Sequence, residues 1–296
     1  MKNGLMLVFL TALISGVSIF LNKYSVSVIN PYIFTFLKNV MVAVALLAVI
    51  LMWKNWNEVK HLSKKQWLQL ILIGLIGGSI PFLLFFKGLS MTSSAVGSFI
   101  HKTMFIYVGL IAVMFLKEKM RKSVFIAALL LLAGNFLILK IGKFTFGTGE
   151  ILILLATLFW AVENVISKNA LKTISGNVVA CGRMLIGSVF IMIFLGATNQ
   201  LGLVKTLGAS QVLWTLFTAA LLLGFVMTWY NGLKEVNVTT ATSILLLGSP
   251  VTTLLNAVTL GQITGLEVIG TALLLCGVIV MLAFNEKTNQ ETFSIA

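Results

Sequence analysis

The sequence is written twice, and both copies are hydrophobic almost throughout. Displaced by 145 positions, Gly4 falls on Gly149, Leu13 on Leu158, Lys23 on Lys168 and Lys38 on Arg183. At a displacement of 143 to 144, Gly88-Leu89 meets Gly232-Leu233, and Leu131-Leu132-Ala133-Gly134 meets Leu274-Leu275-Cys276-Gly277. A chain immersed in hydrocarbon must satisfy its own backbone hydrogen bonds, which restricts it to helices or a closed barrel. Ten stretches approach the ~20 residues a helix needs to cross a bilayer: 4–22, 32–53, 67–86, 95–116, 123–141, 149–168, 178–197, 211–230, 240–260 and 266–284. Five fall in each copy, so the expected fold is an all-α membrane protein with ten transmembrane helices arranged as two five-helix repeats. The repeats occupy 1–142 and 143–284, followed by a polar tail, 285–296.

Composition agrees. Hydrophobic residues make up 59%, charged residues 10%, and the mean hydropathy is +1.06, where soluble chains carry roughly a quarter charged residues. An odd number of crossings makes the second copy enter the membrane from the opposite side, so the repeats are inverted, an arrangement that puts a binding site near the midplane.

Loop charge predicts the orientation. With the N-terminus cytoplasmic, inner segments carry 13 Lys and Arg: Lys2, Lys54, Lys60, Lys64, Lys65, Lys117, Lys119, Arg121, Lys122, Lys168, Lys172, Lys234 and Lys287. Outer loops carry 5: Lys23, Lys87, Lys140, Lys143 and Lys205. This predicts cytoplasmic termini and a multi-pass plasma-membrane protein. The same distribution accounts for the net charge of +13 without a nucleic-acid partner, because the basic residues are spread along rims and no basic helix or aromatic reading platform accompanies them. Cys181 and Cys276 both fall in spans, so neither a disulfide nor a metal framework is expected.

On these residues the chain resembles the EamA-type members of the drug/metabolite transporter superfamily. The likeness rests on the duplication, on the fourth span running into Phe115-Leu116-Lys117-Glu118-Lys119, and on Leu247-Gly248-Ser249-Pro250 twelve residues before Gln262. Such members show a proline and then a glutamate at this spacing in each half. Here Ile106 stands at the first proline position and Gln262 at the second glutamate position. The resemblance implies transport of small metabolites such as amino acids, amines or drugs, with export the commoner direction.

Polar residues inside the spans are the candidates for binding, since each costs roughly 2.5–3.5 kcal/mol at a helix centre on insertion scales. Lys38 and Arg183 lie six or seven residues into their spans and are expected to snorkel to the head groups, outward and inward respectively. Lys102 is deeper and is the expected counter-charge to a substrate carboxylate or to Glu163, with a structural pairing as the alternative. His101 beside it can carry protons near neutral pH. Glu163, the carboxylate deep within a span, shares a helix face with Trp160 and Ser167, and the repeat carries these onto Ser15, Ser18 and Asn22. These two matched stripes are expected to face a cavity, with Glu163 and His101 as proton-coupling candidates. Phe82, Phe86 and Tyr230 are candidate pocket walls, though helix packing would use them equally. Asn135 and Asn256 read as interhelical glue, Gly74, Gly77 and Gly78 as a close-approach surface, and Pro81 and Pro250 as kinks.

The reading is a secondary carrier without a cofactor, moving an amino acid or related zwitterion by alternating access, with protons as a candidate coupling ion. A channel, a structural subunit, or a carrier of other substrates remain alternatives. An enzyme is disfavoured, because no His-Glu-x-x-His or serine-elbow pattern occurs.

Overall fold

The computed structural model describes residues 2–52, 56–118, 122–138 and 146–260, and helical positions 265, 268–270, 272–274, 276–277 and 280. Its helices are α1 (Lys2–Val28), α2 (Pro31–Met52), α3 (Trp56–Lys60), α4 (Lys64–Ile76), α5 (Ile80–Met91), α6 (Ser94–Lys102) and α7 (Met104–Phe115). They continue as α8 (Lys122–Ile138), α9 (Thr148–Ala170), α10 (Gly176–Ala197), α11 (Ala209–Glu235), α12 (Val238–Ile244) and α13 (Gly248–Leu260). Among the described residues, 8 segments are long and apolar enough to cross a membrane; three of them are pairs of shorter helices, Lys64–Met91, Ser94–Phe115 and Val238–Thr259. The fifth span is the shorter α8. The tenth falls among the scattered helical positions, where Gly270 and Leu274 lie against Gly134.

The protein is an all-α membrane protein built from two inverted five-helix repeats, and the packing shows the inversion directly. Helix α1 lies on α11 as α9 lies on α5, α1 also meets α13 as α9 meets α6 and α7, and α2 crosses α10. The α1–α11 and α9–α5 contacts are repeat images of each other, and α2 and α10 are themselves repeat mates, which is what a two-fold axis in the membrane plane requires. Glycines aligned by the repeat mark the crossings. A β-carbon on Gly88 would stand 2.6 Å from the Gly149 carbonyl oxygen, and one on Gly232 would stand 3.0 Å from that of Gly4. Helices in lipid gain little from burying apolar surface against one another, so close backbone approach of this kind has to supply the attraction.

The face at which α1 begins is called here the N-face, and the other the opposite face. At each, a lysine near the end of a repeat's first helix caps the end of the third. Lys23 Nζ donates to the Leu89 and Ser90 carbonyls at 3.1 and 3.3 Å. Its mate Lys168 donates to Leu233, Lys234 and Val236 at 2.7, 3.3 and 2.7 Å. The final turn of a helix presents unpaired carbonyls and negative dipole, so a lysine there is well placed. The Leu116-Lys117-Glu118 segment has a related use. Lys117 adopts a left-handed φ of 55° that stops α7, and Glu118 then accepts from Val238 N, Thr239 N and Thr239 Oγ1 at 3.0, 3.2 and 2.8 Å. A carboxylate thereby satisfies the free amides that open α12.

Candidate functional site

Three spans break in the middle of the fold. The third breaks at Gly77–Ser79 and the fourth at Thr103, while the ninth passes through a 3-10 turn, Leu245–Leu247. Pro81 and Pro250 follow two of the breaks, near the start of α5 and α13, where a missing N–H does no harm. The expected kinks are therefore helix starts. The fourth span breaks at the position matching the ninth even though Ile106 stands where a proline would, so the break does not depend on one.

The break in the third span is shaped by its neighbours. A β-carbon on Gly77 would lie 2.3 Å from Glu163 Cγ, and one on Gly78 2.1 Å from the Arg183 carbonyl oxygen. Only glycine admits both helices so close. The carbonyls that α4 leaves unpaired are taken by side chains: Trp160 Nε1 and Arg183 Nη2 donate to Gly77 O at 2.9 and 3.1 Å, and Asn39 Nδ2 donates to Gly78 O at 2.9 Å. A guanidinium at the negative end of a half-helix is electrostatically favoured.

These breaks surround a cavity between the two repeats. Measured at the centre of a water molecule it holds about 70 Å³, several times the ~10–15 Å³ that one water needs. One wall is polar, from Ser15, Ser18 and Asn22 on α1, Lys38 on α2, and Glu163, Asn164 and Arg183. The other is aromatic, from Phe82, Phe85, Phe86, Trp160, Phe225 and Trp229. Phe82 meets Trp160 edge-on at 5.4 Å and 85°, and His101 meets Trp160 at 5.0 Å and 78°. Edge-to-face contacts of this kind hold rings in fixed orientations.

Two polar clusters, repeat mates of each other, sit at the two ends of the cavity. Toward the N-face, Arg183 Nη1 donates to Tyr230 Oη at 3.0 Å, Tyr230 Oη donates to Glu163 Oε1 at 2.6 Å, and Ser167 Oγ donates to the same oxygen at 2.5 Å. Glu163 Oε2 and Arg183 Nε are buried without a partner. Toward the opposite face, Lys38 Nζ donates to Asn22 Oδ1 at 2.7 Å, Asn22 Nδ2 donates to Ser18 Oγ at 3.1 Å, and the ammonium stands 5.3 and 5.4 Å from the Phe34 and Phe86 ring centres. The first cluster joins a cation to a carboxylate through a phenol. The second contains a cation and no anion.

The structure thus brings Ser15, Ser18, Asn22, Phe82, Phe86, His101, Trp160 and Glu163 to one cavity. Three expectations need correction. Lys38 and Arg183 do not snorkel: they are 1% and 4% exposed and line the cavity. Both helices are rotated so that these residues face the interior of the bundle, where amide, phenol and carbonyl groups replace head-group water. Lys102 is deep as expected but stands behind the wall. It ends α6, is 2% exposed, and donates to Ser15 Oγ at 2.6 Å, with the side chain passing Gly248, so it reaches the cavity only through Ser15. Tyr230 likewise acts through Arg183 and Glu163 and does not line the space itself.

Sequence reasoning assigned Lys38 and Arg183 to the head groups and did not single out Asn164 or Phe225, all four of which line the cavity. For the two cations a signal was present, since the repeat aligns a Lys with an Arg at equal depth in a chain nearly free of buried charge. Asn164 accepts from Trp229 Nε1 at 3.0 Å, a pairing between distant spans that no local pattern announces. Asn256 does bridge helices, accepting from Ser94 Oγ at 3.0 Å, whereas the side chain of Asn135, Gln262 and the loop 139–145 lie outside the described residues. Among the described residues no group of three His, Cys, Asp or Glu side chains is placed to hold a metal ion.

No curated protein matches this sequence. A solved structure, described only as a crystal structure of a protein, is 20% identical, superposes with a TM-score of 0.78, and matches over 97% of this chain and 99% of the other, so it shares the fold. The family model for EamA-like transporters matches twice, over residues 2–140 and 147–283. With nearly every residue inside one match or the other, the chain belongs to the EamA-like transporter family and is a membrane transporter of the drug/metabolite type.

Proposed function

We propose that the protein is a secondary carrier that moves an amino acid or related zwitterion across the plasma membrane by alternating access, in the direction of export. The observation that supports this most is the placing of opposite charges, Lys38 and Glu163, at the two ends of one cavity at the boundary between inverted repeats. An amino acid presents a carboxylate and an amine to such a pair and an apolar body to the aromatic wall. Ser15, Ser18, Asn22 and His101 complete the polar contacts, Phe82, Phe86 and Trp160 the apolar ones, and Lys102 braces Ser15 from behind. Alternating access follows from the two-fold: whichever repeat yields, the mated one closes. Glu163 is the candidate proton carrier, since it lines the cavity with Oε2 unpartnered while Oε1 accepts from Tyr230 and Ser167.

Counterflow of radiolabelled amino acids in proteoliposomes tests the carrier reading. Saturable exchange, accelerated by unlabelled substrate on the far side, is the expected result; conduction without saturation or counterflow would make the protein a channel. Glu163→Gln should keep exchange and lose the response to an imposed pH gradient if Glu163 couples protons, and an unaltered response removes that role. For orientation, cysteines placed singly at Asn3 and Gly202 in a background lacking Cys181 and Cys276 should react with an impermeant thiol reagent on intact cells at Gly202 alone; labelling at Asn3 alone would invert the topology.

A further inference from the structure

We infer that Lys38 is the subsite for the substrate's carboxylate, and that the ligands it selects are small carboxylates with an aromatic or bulky apolar body. The inference rests on the carrier reading above and adds to it the residue, the charge and the shape.

Charge is the first argument. All eight acidic residues of the chain are glutamates, and the five described ones can each be placed. Glu58 accepts from Ser175 N at 2.6 Å, Glu118 caps α12, Glu150 accepts from Thr92 and from Gly147 N at 3.0 Å, and Glu235 is exposed. Only Glu163 is deep, and it is joined through Tyr230 to Arg183. Lys38 is therefore left, among the described residues, without an anion. A buried ammonium whose only protein acceptor is one amide oxygen is costly unless a negative group completes it. Ring faces at 5.3 and 5.4 Å offer partial compensation of the kind a cation–π contact gives. Lys38 itself lines the cavity.

Lys102 is the other deep lysine without an anion, and its geometry excludes it as the subsite. Its Nζ lies on Ser15 Oγ and it does not line the cavity, so a ligand could meet it only by displacing α1. Arg183 does line the cavity, but Glu163 already offsets its charge.

Shape is the second argument. Beside Lys38, Phe82 stacks on Phe86 at 5.9 Å and 15°, Phe85 is edge-on to Phe86 and Trp160 edge-on to Phe82, and Trp229 also lines the cavity. A carboxylate on Lys38 and Asn22 thus has aromatic rings beside its body. Charge fixes one end and apolar contact accommodates the rest.

The test uses the full-length protein purified in detergent, with 3-phenylpropionate, its neutral amide 3-phenylpropanamide, and L-phenylalanine as probes, read by calorimetry and by the shift in melting temperature. Wild type should bind the acid about tenfold to a hundredfold more tightly than the amide, the span expected of a charge-assisted hydrogen bond. Lys38→Met should abolish that preference, and Lys38→Arg should retain part of it. Equal affinity of wild type for acid and amide overturns the inference without any variant, and so does a Lys38→Met protein that still prefers the acid. The carrier reading fails in a different way: if wild type exchanges no amino acid or carboxylate in proteoliposomes and binds none of the three probes, the cavity is not a binding site. Saturable exchange of amines or neutral solutes with no preference for acids would instead leave the carrier standing and remove Lys38 alone.

Discussion

The two ends of the cavity occupy equivalent places in the repeat and are built on opposite principles. At the N-face end the side chains satisfy one another: Arg183, Tyr230, Glu163 and Ser167 form a chain of hydrogen bonds between 2.5 and 3.0 Å that ties α9, α10 and α11 together. At the opposite end the matching positions hold Lys38, Phe86, Ser18 and Asn22, and a phenyl ring stands where the phenol bridges. A missing hydroxyl and a serine in place of glutamate remove the bridge and leave the cation open. Repeat symmetry builds the scaffold twice, and a handful of substitutions makes one end a lock and the other a receptor.

The same contrast appears in the backbone. The third span is broken at Gly77–Ser79, but its mate α11 runs unbroken through the aligned position, where Leu222 matches Gly78. The broken span yields the carbonyls that Arg183, Trp160 and Asn39 need, so the lock depends on the break.

Breaking the lock should have the largest effect. Arg183→Met leaves Glu163 buried without its cation and should destabilise the protein by about 3–5 kcal/mol, with most of the loss recovered in the Arg183→Met/Glu163→Gln double variant. Unfolding of the detergent-solubilised proteins measures it, and a single variant as stable as wild type would show that the cluster carries no charge coupling. Gly78→Ala should come next, at about 2–3 kcal/mol, because its β-carbon would overlap the Arg183 carbonyl and α4 would have to withdraw. Full stability would mean that the helices separate at no cost.

Tyr230→Phe copies the receptor end into the lock. It should cost about 1–3 kcal/mol, the range for a buried polar group left unpaired, and it should raise transport rates or leakage if this end must open in each cycle. The smallest effect is expected at the receptor. Lys38→Met strands no carboxylate and keeps the ring contacts, so stability should change by less than about 1 kcal/mol, in contrast to Arg183→Met at the mated position. A loss as large as that of Arg183→Met would show that Lys38 is part of the structure's own charge balance and that the two ends are alike.

Much of the architecture was legible before any coordinates. Gly4 and Gly88 recur as Gly149 and Gly232 at displacements of 145 and 144, and a chain this apolar has to hide its backbone in helices, so duplication and hydropathy together imply inverted five-helix repeats. The stripes Ser15-Ser18-Asn22 and Trp160-Glu163-Ser167 pointed to a common surface for a similar reason, since 3.6 residues per turn puts them on one face. Lys38, Arg183 and Lys102 could not be sorted in that way. Depth within a span says how far a charge lies from water along one helix, but whether it faces lipid, a neighbour or a cavity depends on the rotation of that helix against others far away in sequence. Contacts such as Lys38 with Asn22, Arg183 with Gly77 and Tyr230, and Lys102 with Ser15 set that rotation. The sequence by itself determined the helices and their symmetry, because those follow from local periodicity and from the solvent. The tertiary structure alone decided which buried cation is paired, which is braced behind the wall and which is left open, because burial of charge is settled between helices and not along them.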